Sequence, residues 1–234
     1  MRNSLAMVAA TVVAAVVGTG AVRGVEEAPA GSVSGQVVIQ ERDGEVTEDI
    51  QNVVVYLEPT GAAPARAPRL DPTNTSIALQ SRQFSPRVRV ITQGSRIEFP
   101  NQDPFSHNVF SKLNGGFDTG TYGRGKSKDQ TFKDAGVYPI YCNVHPRMTG
   151  FIVTLTTPHF TQAGNDGRFT IENVPPGAYK MTIWHDRTST ETRAVTVSAT
   201  GLSGMRIELD ARAYKYVQHK NKLGKDYTSN GDRY

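Results

Sequence analysis

The run Val137-Tyr-Pro-Ile-Tyr-Cys142-Asn-Val-His145-Pro-Arg-Met148-Thr-Gly-Phe-Ile-Val-Thr154 decides how this chain folds. A β-rich run (137–142) leads in and another (150–156) leads out. Between them, one short strand-to-strand loop carries a thiol, an imidazole and a thioether at the spacing C-x2-H-x2-M. Short apolar runs bounded by turn residues are the signature of paired strands.

The same texture extends outward in both directions. Ser34–Gln40 alternates and ends near the turn residues Asp43-Gly44, and Val53–Leu57 reads as a second strand. Residues 59–75 are rich in Pro, Ala and Thr and read as a loop or linker. Strand-like runs resume at Arg87–Ile91, Arg96–Phe99 and Lys128–Phe132. They recur at Arg168–Ile171, Tyr179–Trp184, Thr192–Val197 and Met205–Leu209. Strands at roughly 8–12-residue spacing, with no helical periodicity, predict an all-β chain built of sandwiches or barrels. The Gly-rich run Gly120–Gly125 follows no strand-to-helix pattern and is no phosphate loop.

The ligand types point to one metal. A second histidine, His107, sits 35 residues before Cys142, in Phe105-Ser-His-Asn-Val-Phe110, a separation that neighbouring strands of a sandwich can close. A thiolate with two imidazoles and a weak axial thioether suits a blue-copper electron-transfer site. Zinc is the poorer fit, because its structural sites take four strong N, S or O ligands. The single cysteine excludes a binuclear centre bridged by two thiolates. A Cys–His nucleophilic enzyme is the catalytic alternative, but no orienting carboxylate stands at a telling spacing and Met148 goes unexplained; the expectation is a non-enzymatic protein.

These residues resemble the cupredoxin family. The C-x2-H-x2-M loop is similar to that of amicyanin, and Ser106-His-Asn-Val109 to plastocyanin. Gln83-Phe-Ser-Pro86 and Gly94-Ser-Arg-Ile-Glu-Phe-Pro-Asn101-Gln-Asp103 match the opening strands of such domains, so that the resemblance covers roughly 77–157. It implies a Greek-key cupredoxin sandwich over 77–156 holding one type 1 copper. His107 and His145 would be equatorial ligands, Cys142 the thiolate and Met148 the axial ligand. Asn108 would tie the cysteine loop to the first histidine's strand. His145 would face solvent as the electron port, with Pro146 and Phe105 as an apolar rim for a redox partner such as a cytochrome or dehydrogenase.

The flanks carry a second signal. Asp166-Gly-Arg-Phe-Thr-Ile-Glu-Asn-Val-Pro-Pro-Gly-Ala-Tyr179 has the form strand, Pro-Pro-Gly turn, strand, and Pro followed by Gly suits a type II turn. This segment resembles the carboxypeptidase regulatory-like, transthyretin-shaped β-sandwich, whose opening pattern is found at Gly35–Leu57. The expectation is a second small sandwich made of 32–60 and 157–212, with the cupredoxin domain inserted. In the alternative, strands 34–58 belong to the cupredoxin itself. Trp184-His185-Asp186 reads as a strand end with a half-buried Trp and surface polar groups. His159 and His219 have no companions at ligand spacing.

The ends complete the picture. Arg2, an apolar run from Leu5 to Val17 and small residues after it describe a secretory signal peptide over 1–24, cleaved after Ala21 or Gly24. The run is short for a membrane span, though an uncleaved anchor is the alternative. Export to the periplasm or beyond is expected, with no stable membrane insertion after cleavage. In such an oxidising setting a lone cysteine calls for a special use. Residues 213–234 are polar and basic and are expected to form a flexible tail. The net charge of +4 is too small to imply nucleic-acid binding. Storage or delivery of copper, and an interaction module with a vestigial site, remain the other functional classes. The absence of Met-rich or His-rich tracts favours electron carriage.

Overall fold

The computed structural model describes residues 30–61, 72–113 and 115–227. The expected signal peptide, most of the 59–75 linker and the last seven residues of the tail lie outside the described residues. In chain order the strands are β1 (Gly31–Gln40), β2 (Val54–Pro59), β3 (Asn74–Ser76), β4 (Ala78–Gln80), β5 (Gln83–Ser85) and β6 (Val88–Thr92). Next come β7 (Arg96–Pro100), β8 (Phe110–Ser111), β9 (Phe117–Asp118), β10 (Ser127–Thr131), β11 (Gly136–Tyr141) and β12 (Thr149–Leu155). The last are β13 (Phe160–Gln162), β14 (Arg168–Val174), β15 (Gly177–Trp184), β16 (Glu191–Val197) and β17 (Leu202–Asp210). The chain is all-β.

Pairing divides the strands into two groups. β1 lies between β14, antiparallel, and β17, parallel. β2 lies between β13 and β15, and β16 extends that sheet. Strands β3 to β12 pair only among themselves, in the orders β10-β7-β3 and β6-β12-β11-β8-β9, with β4-β5 as a separate hairpin. The chain thus leaves one sandwich after β2, builds a second from 74 to 155, and returns at β13. Each group has its own apolar core. Val37, Ile39, Leu57, Phe169, Met181 and Ile207 fill the flanking one; Leu79, Phe99, Phe132, Tyr138, Ile140 and Ile152 fill the central one.

The two sandwiches meet along a third apolar cluster, and this explains why Val54–Leu57 of β2 and Phe151–Val153 of β12 are apolar on both faces. In an extended strand successive side chains face opposite sides. Val55 and Leu57 face the flanking core, while Val54 and Tyr56 face outward onto Val88, Val153 and Leu155. In β12, Ile152 enters the central core while Phe151 and Val153 join this seam, where Trp184 packs edge-on against Phe151 at 5.5 Å. Arg87 reaches across to grip Asp186 with two hydrogen bonds of 2.7 and 2.6 Å.

Two local expectations fail. Gly177 does not adopt positive φ; the left-handed residue is Asn173, at φ 56°, whose short polar side chain tolerates that region. The Tyr179 hydroxyl donates to the Pro175 carbonyl at 2.8 Å and closes the turn instead. The tail is also not loose over its described part. Tyr214 lies under Arg187 of the flanking sandwich, while His219 and Tyr227 set their rings against the central one, contacts that a reading of charge alone overlooks.

Candidate metal centre

Strand alternation aims the cysteine. Tyr138, Ile140 and Cys142 are every second residue at the end of β11, so all three enter the central core. The following loop is pinned by two backbone bonds. The N–H of Cys142 donates to the Met148 carbonyl at 3.2 Å, and that of Met148 to the His145 carbonyl at 3.0 Å. The second bond closes a turn with Pro146 at its second position, where the ring presets φ. Just beyond, Gly150 opens β12 where a Cβ would stand 2.9 Å from the Arg87 carbonyl oxygen, so that only glycine lets β12 lie this close to β6.

His107 comes from the other side. It exchanges both backbone hydrogen bonds with Tyr122, which gives the Gly120–Gly125 loop a structural role. Asn101, almost fully buried, organises this corner. Its side-chain N–H groups donate to the carbonyls of Phe105 and Tyr122, and its side-chain oxygen accepts from the Asp103 N–H.

The three predicted strong ligands meet. Cys142 Sγ lies 3.6 Å from His107 Nδ1 and 3.5 Å from His145 Nδ1, and the two Nδ1 atoms are 3.0 Å apart. A triangle with these edges has its centre about 2 Å from each corner, the distance at which imidazole nitrogen binds a transition metal. These residues can hold a metal ion. Met148 is buried in the same core cluster as Cys142. Asn108 accepts the Asn143 N–H on its side-chain oxygen at 2.5 Å and donates to Asp118 at 3.0 Å, which joins the cysteine loop to the His107 segment.

One residue of the site escaped the sequence reading. The Asp103 carboxylate stands 2.8 Å from His107 Nε2. It accepts the N–H groups of Ser81 and Arg82 at 2.7 and 2.9 Å; both residues have positive φ, at 54° and 57°. The orienting carboxylate that the sequence did not show is therefore present. With its proton on Nε2 toward Asp103, His107 keeps its Nδ1 lone pair facing Cys142 and His145. Carboxylate–histidine pairs of this kind fix the tautomer of a ligating imidazole. Only the folding of the β4–β5 turn against the 101–107 loop reveals the role.

Charge states agree with ligation. Burial pushes the Cys142 thiol upward against the opposing pull of the Asn108, Val144 and His145 backbone N–H groups, so a metal must displace its proton. Burial holds His107 below the ordinary imidazole value, more than Asp103 raises it, and keeps the ring neutral. For Asp103 burial acts upward, yet the Arg82 N–H, the His107 ring and the Ser81 N–H together hold the carboxyl below its usual range.

The C-terminal segment covers the cysteine side. The Tyr227 hydroxyl donates to the Cys142 carbonyl at 2.9 Å, and the Lys222 N–H to the Asn143 side chain at 2.9 Å. The Lys222 ammonium pairs with Asp118 at 2.6 Å, and the His219 ring stacks on Tyr141 at 4.6 Å. Cys142, His107 and Met148 are buried, while His145 keeps a half-exposed edge beside Phe105, whose ring lies 5.3 Å away. Of the expected rim, Phe105 is half-exposed, Pro146 is buried, and Val144 is the exposed apolar side chain of the loop.

A second cluster of ligand-type residues lies in the flanking sandwich: Asp49, His185 and Asp186. The expected surface position of His185 and Asp186 is wrong; their side chains are 0% and 2% exposed. The carboxylates there are already engaged. Asp186 holds Arg87 in two-pronged fashion, and Arg187 bridges Asp49 and Glu41 at 2.6 Å each. His185 Nδ1 accepts the Arg187 N–H. This is an ion-pair network at the seam between the sandwiches.

A family model described as polysaccharide lyase family 4, domain II, matches residues 159–203, the returning part of the flanking sandwich. It differs in description from the carboxypeptidase module that the sequence there resembles. No curated protein sequence matches the chain. Among solved structures, a purple cupredoxin from Nitrosopumilus maritimus is 24% identical at a TM-score of 0.32, over 35% of this chain and 99% of that one. Amicyanin from Paracoccus versutus is 21% identical at 0.33, over 43% and 98%. A copper-containing nitrite reductase from Thermus scotoductus is 23% identical at 0.34, over 51% of this chain and 28% of that one.

Proposed function

We propose that this chain binds one copper ion through His107, Cys142, His145 and Met148 and carries single electrons between redox proteins outside the cytoplasm. The observation that carries the reading is the convergence of two Nδ1 atoms and one Sγ, 3.0–3.6 Å apart, with the far side of His107 held by Asp103. Copper at such a donor set supplies one-electron exchange between its monovalent and divalent states. The protein supplies a fixed frame. Asp103 and the Tyr122 backbone lock His107, the Pro146 turn sets His145, and Asn108 holds the loop to its neighbour, so the ligands need little movement between the two states. Met148, as a weak thioether, favours copper over zinc. Cys142 is 0% exposed, which supports ligation over a Cys–His nucleophile. The flanking sandwich is read as a structural or docking module, and export rests on the leader-like first 24 residues.

The test is to add Cu(II) to the purified mature protein, record the visible spectrum, then reduce and reoxidise. An intense thiolate-to-copper band that bleaches and returns is the expected result. A colourless protein that binds zinc, or nothing, overturns the reading. Rapid loss of copper to a chelator from an otherwise coloured protein favours storage or delivery instead.

A further inference from the structure

Four loops meet at the end of the central sandwich where His145 is exposed: 81–83, 101–108, 120–126 and 142–148. Backbone bonds join them: Gly125 N–H to the Asn101 carbonyl, Asn101 N–H to the Lys126 carbonyl, and the His107–Tyr122 pair, with the Ser81 and Arg82 N–H groups on Asp103. Their charges are one-sided. They contain Arg82, Arg124, Lys126 and Arg147, all exposed, and a single acid, Asp103, which is turned inward on His107. The Arg82 guanidinium stands 4.9 Å from the centre of the Phe105 ring, and that ring stands 5.3 Å from His145. Arg147 is two residues beyond His145 in the same loop. In the neighbouring C-terminal segment Lys220 and Lys222 are paired with Asp226 and Asp118, so the collar rests on the four loop cations. The exposed imidazole edge therefore lies in a small apolar patch of Phe105 and Val144 inside a basic collar.

Resting on the copper reading, we propose that this collar is the docking face for an acidic redox protein, whose carboxylates surround its own exposed redox centre. Apolar contact at Phe105 and Val144 brings the partner onto the His145 edge. The collar steers the approach and sets orientation, which is what charged rims do for association rates. In the exchange, one electron leaves the reduced copper form of this chain and one is gained by the partner. A partner with a basic face is repelled.

Two measurements test this separately from copper binding. The first uses the metal-free protein and hexacyanocobaltate(III), a redox-inert trianion, in an amide NMR titration. Shifts are expected at residues 82, 105–106, 123–126, 144, 145 and 147 and should vanish in the double variant R82E/R147E. Shifts scattered over the molecule, or unchanged in the variant, overturn the proposal whether or not copper binds. The second follows oxidation of the copper(I) form by ferricyanide and by tris(phenanthroline)cobalt(III). From about 0.01 to 0.15 M ionic strength, where the Debye length falls from about 30 to 8 Å, the ferricyanide rate should fall by about threefold or more and the cobalt rate should rise. Equal slopes for both oxidants in a coloured, redox-active protein sink the docking face and leave the copper reading standing. A protein that takes up no copper fails the earlier reading, and the NMR titration then decides the collar alone.

Discussion

Two buried histidines sit among ligand-type residues in this molecule, with opposite outcomes. His107 faces Cys142 and His145 with an uncommitted lone pair, because its other nitrogen is engaged by Asp103. His185 faces Asp49 and Asp186, but Arg87 and Arg187 already occupy those carboxylates. Proximity of His, Cys, Asp and Glu does not make a metal site. What matters is whether convergent lone pairs are left unspent by neighbouring donors and cations. The first cluster keeps the His107 Nδ1 lone pair turned toward Cys142 and His145, and the second spends its carboxylates on Arg87 and Arg187.

The largest expected effect breaks the comparison on one side only. Cys142→Ser should abolish the visible charge-transfer band of the copper-loaded protein while far-UV circular dichroism stays that of a β protein; an unchanged band would mean that another group is the thiolate's substitute. Asp186→Ala should do the reverse. It strips Arg87 of its partner at the seam, and breaking a buried pair this way costs about 3 kcal/mol, lowered by the partial exposure of Arg87. Denaturant unfolding should show the loss, and copper uptake should be retained. If copper uptake fell in parallel with stability, the two regions would not be independent.

Smaller effects sharpen the distinction. Asp103→Asn presents an N–H to His107 Nε2 and favours the tautomer with its proton on Nδ1. Copper affinity should fall about 10- to 100-fold, as for other partners of ligating histidines, measured by competition with a chelator; no change would remove Asp103 from the site. The last prediction concerns pH. Burial holds His185 below its ordinary value, although Asp186 and Asp49 pull it up and Arg187 pushes it further down. The unfolded chain takes up a proton near 6.5 while the folded chain resists. This contribution is therefore complete above that pH and is lost as the pH falls, by up to about 1.4 kcal/mol per pH unit for one such group. His159, lowered by burial alone, acts in the same direction. Thermal unfolding of the metal-free protein between about pH 7.5 and 5.5 checks this; a flat melting temperature would show that His185 is not held neutral.

Much of this was legible before any coordinates. Cys142, His145 and Met148 lie within seven consecutive residues, and such a loop between two strands has few ways to point its side chains. Alternation along 138–142 put the thiol inside. His107 was legible too, since its Ser-His-Asn-Val setting marks the strand that faces the loop. That β2 and β12 are covered on both faces, and by which partners, was not readable.

The sequence by itself determined what depends on local spacing: an all-β chain, the positions of its longer strands to within a few residues, and a thiol, two imidazoles and a thioether able to converge. Tertiary structure alone decided what depends on distant segments meeting. It brought Asp103 onto His107 through the Ser81–Arg82 turn and laid Tyr227 and His219 over the cysteine side. It buried His185 and Asp186 at the seam, and gathered four cations from three loops around His145. A pattern one strand long is written in consecutive residues. The pairing of strands a hundred residues apart is set by the burial of both faces of β2 and β12, and no local spacing records which surfaces will cover them.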